Sequence, residues 1–87
     1  MSVTVVIPPL LRRYTKGQAV VGVTAYSVEE CLNNLTDQFP RLRRWFYNKQ
    51  GEVAGYVHLF INREQASTDR LLNDGDEVLI LLAVSGG

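Results

Sequence analysis

Glu77-Val-Leu-Ile-Leu-Leu-Ala-Val-Ser-Gly-Gly87, the last eleven residues, joins two unlike segments. Val78 to Ala83 is an apolar run of strand length, the pattern of a strand buried in a sheet. Ser85-Gly86-Gly87 offers almost nothing to pack. At a usual glycine usage of about 7% per position, a terminal Gly-Gly pair arises in roughly one chain in two hundred, so the pair alone decides little. Its meaning depends on the fold in front of it.

Working back from this strand, Leu71 and Leu72 precede Asn73-Asp-Gly75-Asp76, a strong turn signal. Tyr56-Val-His-Leu-Phe-Ile61 is another strand, with Val57, Leu59 and Ile61 on one face and His58 and Phe60 on the other. Arg41 to Gly55 is polar and aromatic, and reads as a short helical turn around Leu42, Trp45 and Phe46 followed by a loop containing Gly51 and Gly55. Before it the period changes to that of a helix. Val28, Cys31, Leu32, Leu35 and Phe39 recur at three- and four-residue spacing until Pro40 discourages continuation. Ser27-Val-Glu-Glu30 has the serine and glutamate of a capping box, each side chain expected to satisfy a backbone N–H at the helix start. At the beginning of the chain, Ser2 to Ile7 is a β-branched strand bounded by Pro8-Pro9, and Gln18 to Ala25 is its hairpin partner across a long connection, Leu10 to Thr15.

Strand, strand, helix, strand, turn region, strand is the order of a small α+β domain whose helix covers one face of a mixed sheet. The first and last strands are expected to be parallel neighbours at its centre, the outline of a β-grasp (ubiquitin-like) fold. Residues 1–83 would form that domain and residues 84–87 a flexible Gly-Gly tail. If Val78, Ile80 and Leu82 face the helix, Leu79 and Leu81 point the other way, near His58 and Phe60. These four would form an apolar docking patch leading to the tail, unless Arg41 to Gly55 folds over that face and buries it.

The 87 residues, 46% of them hydrophobic and 21% charged, make one ordinary globular domain too small for a spacious enclosed active site. Nine basic residues balance nine acidic ones, so no net field attracts nucleic acid or an anionic membrane. The one cysteine cannot form an internal disulfide, and no signal peptide or long apolar span is present, which makes a cytoplasmic location the default.

Asp74-Gly75-Asp76-Glu77-Val78, an apolar strand, and Val84-Ser85-Gly86-Gly87 resemble the C-terminal signature of the ThiS/MoaD family of ubiquitin-like sulfur carrier proteins. Within it, Val3-Thr-Val-Val-Ile-Pro8, Leu11-Arg12, Thr15 and Gly17-Gln18 look most like the carrier of a cysteine synthesis route. One departure is Leu82, where the family often has proline; a residue that keeps its N–H can lengthen the last strand.

The resemblance implies that Gly87 carries the chemistry, through its carboxylate. A ubiquitin-activating-type adenylating enzyme would make it an acyl-adenylate, and a sulfur donor would displace AMP to leave a thiocarboxylate. A sulfur-using biosynthetic enzyme would then discharge it. Val84, Ser85 and Gly86 would enter each partner's active site. The chain would be a protein cosubstrate, not an enzyme, with no cofactor bound and ATP held by the activating partner. Alternatives on the same fold are a small subunit of molybdopterin synthase and a ubiquitin-like protein modifier.

Other candidates read more plainly. Cys31 lies on the apolar helix face and reads as a buried, inert thiol. His58 is the only histidine, and with no cysteine pair no metal site is expected. Arg41, Arg43 and Arg44 beside Trp45 mix basic and aromatic character as a nucleic-acid surface does, yet zero net charge favours a solvated face with Trp45 packed beneath it.

Overall fold

β1 (Ser2–Val6), β2 (Val20–Thr24), α1 (Val28–Gln38), a single-turn α2 (Arg43–Phe46), β3 (Val57–Ile61), β4 (Glu64–Gln65) and β5 (Glu77–Leu82) follow one another in the computed structural model, which describes residues 1–83. The strands form one mixed sheet in the order β2-β1-β5-β3-β4. β5 lies at its centre, parallel to β1 with Val5 opposite Val78, and antiparallel to β3 with Leu59 opposite Ile80. That central place is why β5 reads as an almost unbroken apolar run.

The inner face of the sheet, including Val3, Val5, Val21, Val23, Leu59, Ile61, Val78 and Ile80, is buried in one core with Val28, Cys31, Leu32 and Leu35 of α1. The helix begins where its sequence says, and the Ser27 hydroxyl accepts the Glu30 N–H at 3.2 Å. The reciprocal half of the expected capping box is shifted by one residue: Glu30 accepts from the Tyr26 N–H at 2.7 Å. Ser27 itself forms an antiparallel bridge with Leu71, stitched by Val28 N–H to the Arg70 carbonyl and Leu72 N–H to the Tyr26 carbonyl.

Two segments differ from their sequence reading, and a third is more ordered than it implied. Leu10 to Thr15 is a 3-10 helix, Pro9–Tyr14, rather than an open connection, because Leu11 is drawn fully into the core. Arg41 to Gly55 begins with the expected helical turn, a 3-10 turn, Pro40–Leu42, that runs into α2, and it is more integral than a loop because Leu42 and Phe46 are fully buried and Tyr47 bridges to Val53. β4 is an added strand, closed onto β3 by a two-residue hairpin in which Asn62 (φ 49°) and Arg63 (φ 75°) both take left-handed conformations.

The Asp-Gly-Asp signature is a clamp on the start of the sheet. Gly75 has φ 87°, a conformation that favours glycine, and its N–H donates to the Ser2 carbonyl at 2.8 Å. Asp74 accepts the Ser2 N–H at 2.8 Å. Buried Asp76 accepts from the Asn73 N–H and from Asn62 Nδ2, each at 2.8 Å, tying the turn to the β3–β4 hairpin. The Asn73 amide, and after it Asn62, holds the Asp76 carboxyl below the ordinary carboxylate range.

Asp76 therefore stabilises the fold above the unfolded-state pKa of about 3.9, and that contribution disappears as the pH falls through the lower folded-state value. At pH 7, Asp76→Ala is expected to cost about 1–2 kcal/mol, since two charge-assisted hydrogen bonds are lost. In urea denaturation the gap between wild type and variant should narrow as the pH is taken below about 4. A gap that stays constant with pH would assign the loss to packing instead.

Candidate functional site

The outer face of the sheet carries an apolar surface. Pairing sets Val20 opposite Val6, Val6 opposite Leu79, and Leu79 opposite Phe60, which makes a row across four strands. Leu81 lies beside this row, opposite His58. Val20 and Leu81 are exposed at 52% and 45%, while Val6, His58, Phe60 and Leu79 are half-buried. The structure thus brings His58, Phe60, Leu79 and Leu81 together and adds Val6 and Val20. Their outward placement follows from the alternation within β1 and β2, but their adjacency requires the β1–β5 register.

Arg41 to Gly55 does not cover this face. Leu42, Phe46 and Ala54 are committed to the core shared with α1, leaving the outer surface open to solvent.

β5 ends at Leu82, one residue before the end of the described residues. Leu82 pairs with Val57 and packs against the core, and the Ala83 N–H then donates to the Tyr56 carbonyl at 2.7 Å. Tyr56 in turn donates through its hydroxyl to the Trp45 carbonyl at 2.6 Å. Trp45 packs against Tyr14, ring centroids 6.2 Å apart. The root of the tail is therefore fixed, through Tyr56, to the segment that sequence reading left least defined. Val84, Ser85, Gly86 and Gly87 lie outside the described residues.

Cys31 is fully buried, and burial pushes its thiol up to about 12, so it holds almost no thiolate at neutral pH. Its place is in the core, as its helix face implies. His58 is a half-buried strand residue with Gln65 Nε2 3.3 Å from its Nδ1. Among the described residues no three His, Cys, Asp or Glu side chains stand together as a metal set, and no helix is long and apolar enough to cross a membrane. Arg41, Arg43 and Arg44 are exposed over a half-buried Trp45. Arg41 stacks on Tyr14 at 5.1 Å, and Arg43 on Tyr47 at 5.7 Å while pairing with Asp37 at 3.2 Å.

A mixed five-stranded sheet with one main helix across its inner face makes this a ubiquitin-like β-grasp protein. The ThiS family pattern matches residues 5–87, and the chain belongs to that family. The sulfur carrier protein CysO of Mycobacterium tuberculosis is 30% identical, in an alignment spanning the whole of both chains. A chain of the Amycolatopsis orientalis BexX/CysO complex superposes with a TM-score of 0.86 at 27% identity, covering 98% of this chain and 99% of that one. Small archaeal modifier protein 1 of Methanosarcina acetivorans superposes at 0.88 with 29% identity, covering 99% and 96% respectively.

Proposed function

We propose that this chain is a sulfur carrier, a protein cosubstrate whose Gly87 cycles between carboxylate and thiocarboxylate. The observation that carries the reading is the family match, which runs to Gly86-Gly87, seconded by full-length similarity to a sulfur carrier protein. A C-terminal carboxylate has a reference pKa of about 3.5 and is ionised at neutral pH. It attacks the α-phosphate of ATP in an adenylating partner and expels pyrophosphate. A sulfur donor then displaces AMP from the acyl-adenylate, leaving the thiocarboxylate to a sulfur-using enzyme. Likeness to CysO favours cysteine synthesis as the destination. The test is the intact mass of the protein isolated from its own cells: one C-terminal oxygen replaced by sulfur is expected. A carboxylate that persists after ATP, sulfide and the adenylating enzyme are supplied overturns the proposal.

The outer apolar row is the surface on which the partners dock, since it lies beside the strand from which the tail issues. Leu81→Glu is expected to raise KM in ATP–pyrophosphate exchange about tenfold, the loss of one well-placed apolar contact. Because Leu81 is 45% exposed, stability should change by only about 0.5 kcal/mol. Unfolding of the variant would assign Leu81 to the core instead.

A second reading, a protein modifier joined to lysines, is favoured by the likeness to the Methanosarcina acetivorans modifier protein. Gly-Gly remnants on substrate lysines after proteolysis would select it.

A further inference from the structure

Zero net charge conceals a separation of charge along the molecule. β1 and β5 run parallel, so the end of β1, the 3-10 helix after it and the end of β5 share one pole with α2. Residues 9–16 and 40–56 hold seven of the nine basic side chains, and two acidic ones stand among them, Glu52 and Asp37, the latter paired with Arg43. Residues 27–30 and 62–77 hold seven of the nine acidic side chains and only two basic ones, Arg63 and Arg70; they lie mostly toward the other pole, although Glu29 lines a recess with residues 51–53. The tail leaves from the positive pole.

The positive side chains border a feature of definite shape. Arg41, Arg43, Arg44, Lys49, Tyr47 and Tyr56 line an open groove of about 910 Å³, and Tyr56 is the residue that holds Ala83. Arg44 and Lys49 are exposed and have no ionic partner among the described residues. Arg41 and Arg43 are spread against aromatic rings, which limits the entropy lost on forming a further ion pair.

We infer that this cationic, aromatic collar at the root of the tail docks on an acidic rim around the mouth of the channel by which the adenylating enzyme admits Gly87. The inference rests on the carrier reading above and adds the charge of the partner's surface. Reach argues for a rim rather than for the reacting phosphate. Four residues beyond Ala83 span at most about 14 Å, so a tail extended into a channel leaves the collar outside it. Lysine and arginine at a rim act mainly by steering encounter, an effect that salt screens. A nucleic acid is the less favoured occupant, because the chain carries no net positive charge to draw phosphate.

The test is ATP–pyrophosphate exchange with the ubiquitin-activating-type enzyme of the same organism, using full-length chains. Arg44→Glu with Lys49→Glu is expected to raise KM about tenfold at 50 mM salt, far less at 500 mM, with kcat nearly unchanged. Arg63→Glu with Arg70→Glu, the same change in net charge at the other pole, should leave KM within about twofold. Equal effects from both pairs, or none from the collar pair while wild type exchanges normally, overturn the collar and leave the carrier reading intact. No exchange by wild type overturns both. Tight binding of a 20-nucleotide single strand at 150 mM salt, abolished by the collar pair, overturns the inference in favour of nucleic acid.

Discussion

Gly86→Ala is expected to slow adenylation of Gly87 by about 100-fold, the scale of effect that a displacement of about 1 Å at the reacting atoms produces. The chain that must reach ATP is backbone, and a channel fitted to glycine has no room for a Cβ or for the narrower φ/ψ choice that it imposes. Gly86 is four positions beyond Leu82, the last residue of β5, so the loss should appear in ATP–pyrophosphate exchange and not in the melting temperature. Exchange at the wild-type rate would show that the partner does not enclose the tail, and the carrier proposal would lose its mechanism.

Phe46→Ala should be the most damaging core change outside the sheet and α1, costing about 3–5 kcal/mol in urea denaturation. That is a large part of the stability of a small domain, about 5–15 kcal/mol. Phe46 is fully buried, and its carbonyl accepts the Ala54 N–H at 2.8 Å, so one residue fastens both ends of the α1–β3 connection. A loss below about 1 kcal/mol would show that residues 40–56 are an appendage rather than part of the core.

The elements legible in the sequence are those with a sustained period. Val57, Leu59 and Ile61 alternate, Val28 to Leu35 repeat at helical spacing, and Val78 to Leu82 is apolar because neighbours flank it on both sides. α2 was legible only as a turn around Leu42, Trp45 and Phe46. A single turn gives too few repeats to show which face is buried, and Trp45 and Tyr47, half-exposed beside buried Phe46, blur the pattern further. β4 is two exposed polar residues, Glu64 and Gln65, whose pairing is set by the Asn62-Arg63 turn and not by any apolar signal of their own.

At the candidate site, the outward direction of His58, Phe60, Leu79 and Leu81 followed from strand alternation. Val6 and Val20 join them only through long-range register, which no local pattern encodes. The chemistry of the tail was legible only by family resemblance, since Gly86 and Gly87 carry no side chain to read. Charge was the least legible property, because a sum over the chain discards position.

The central place of β5 has a mechanical consequence. Any pull on a tail gripped by a partner is transmitted along β5 and resisted in shear by the β1 and β3 ladders together. An edge strand could peel open one hydrogen bond at a time, whereas here both ladders must slip at once. The amides of β5 should accordingly exchange with solvent only through global unfolding, and a partner can tug, turn and release the tail without fraying the domain that delivers it.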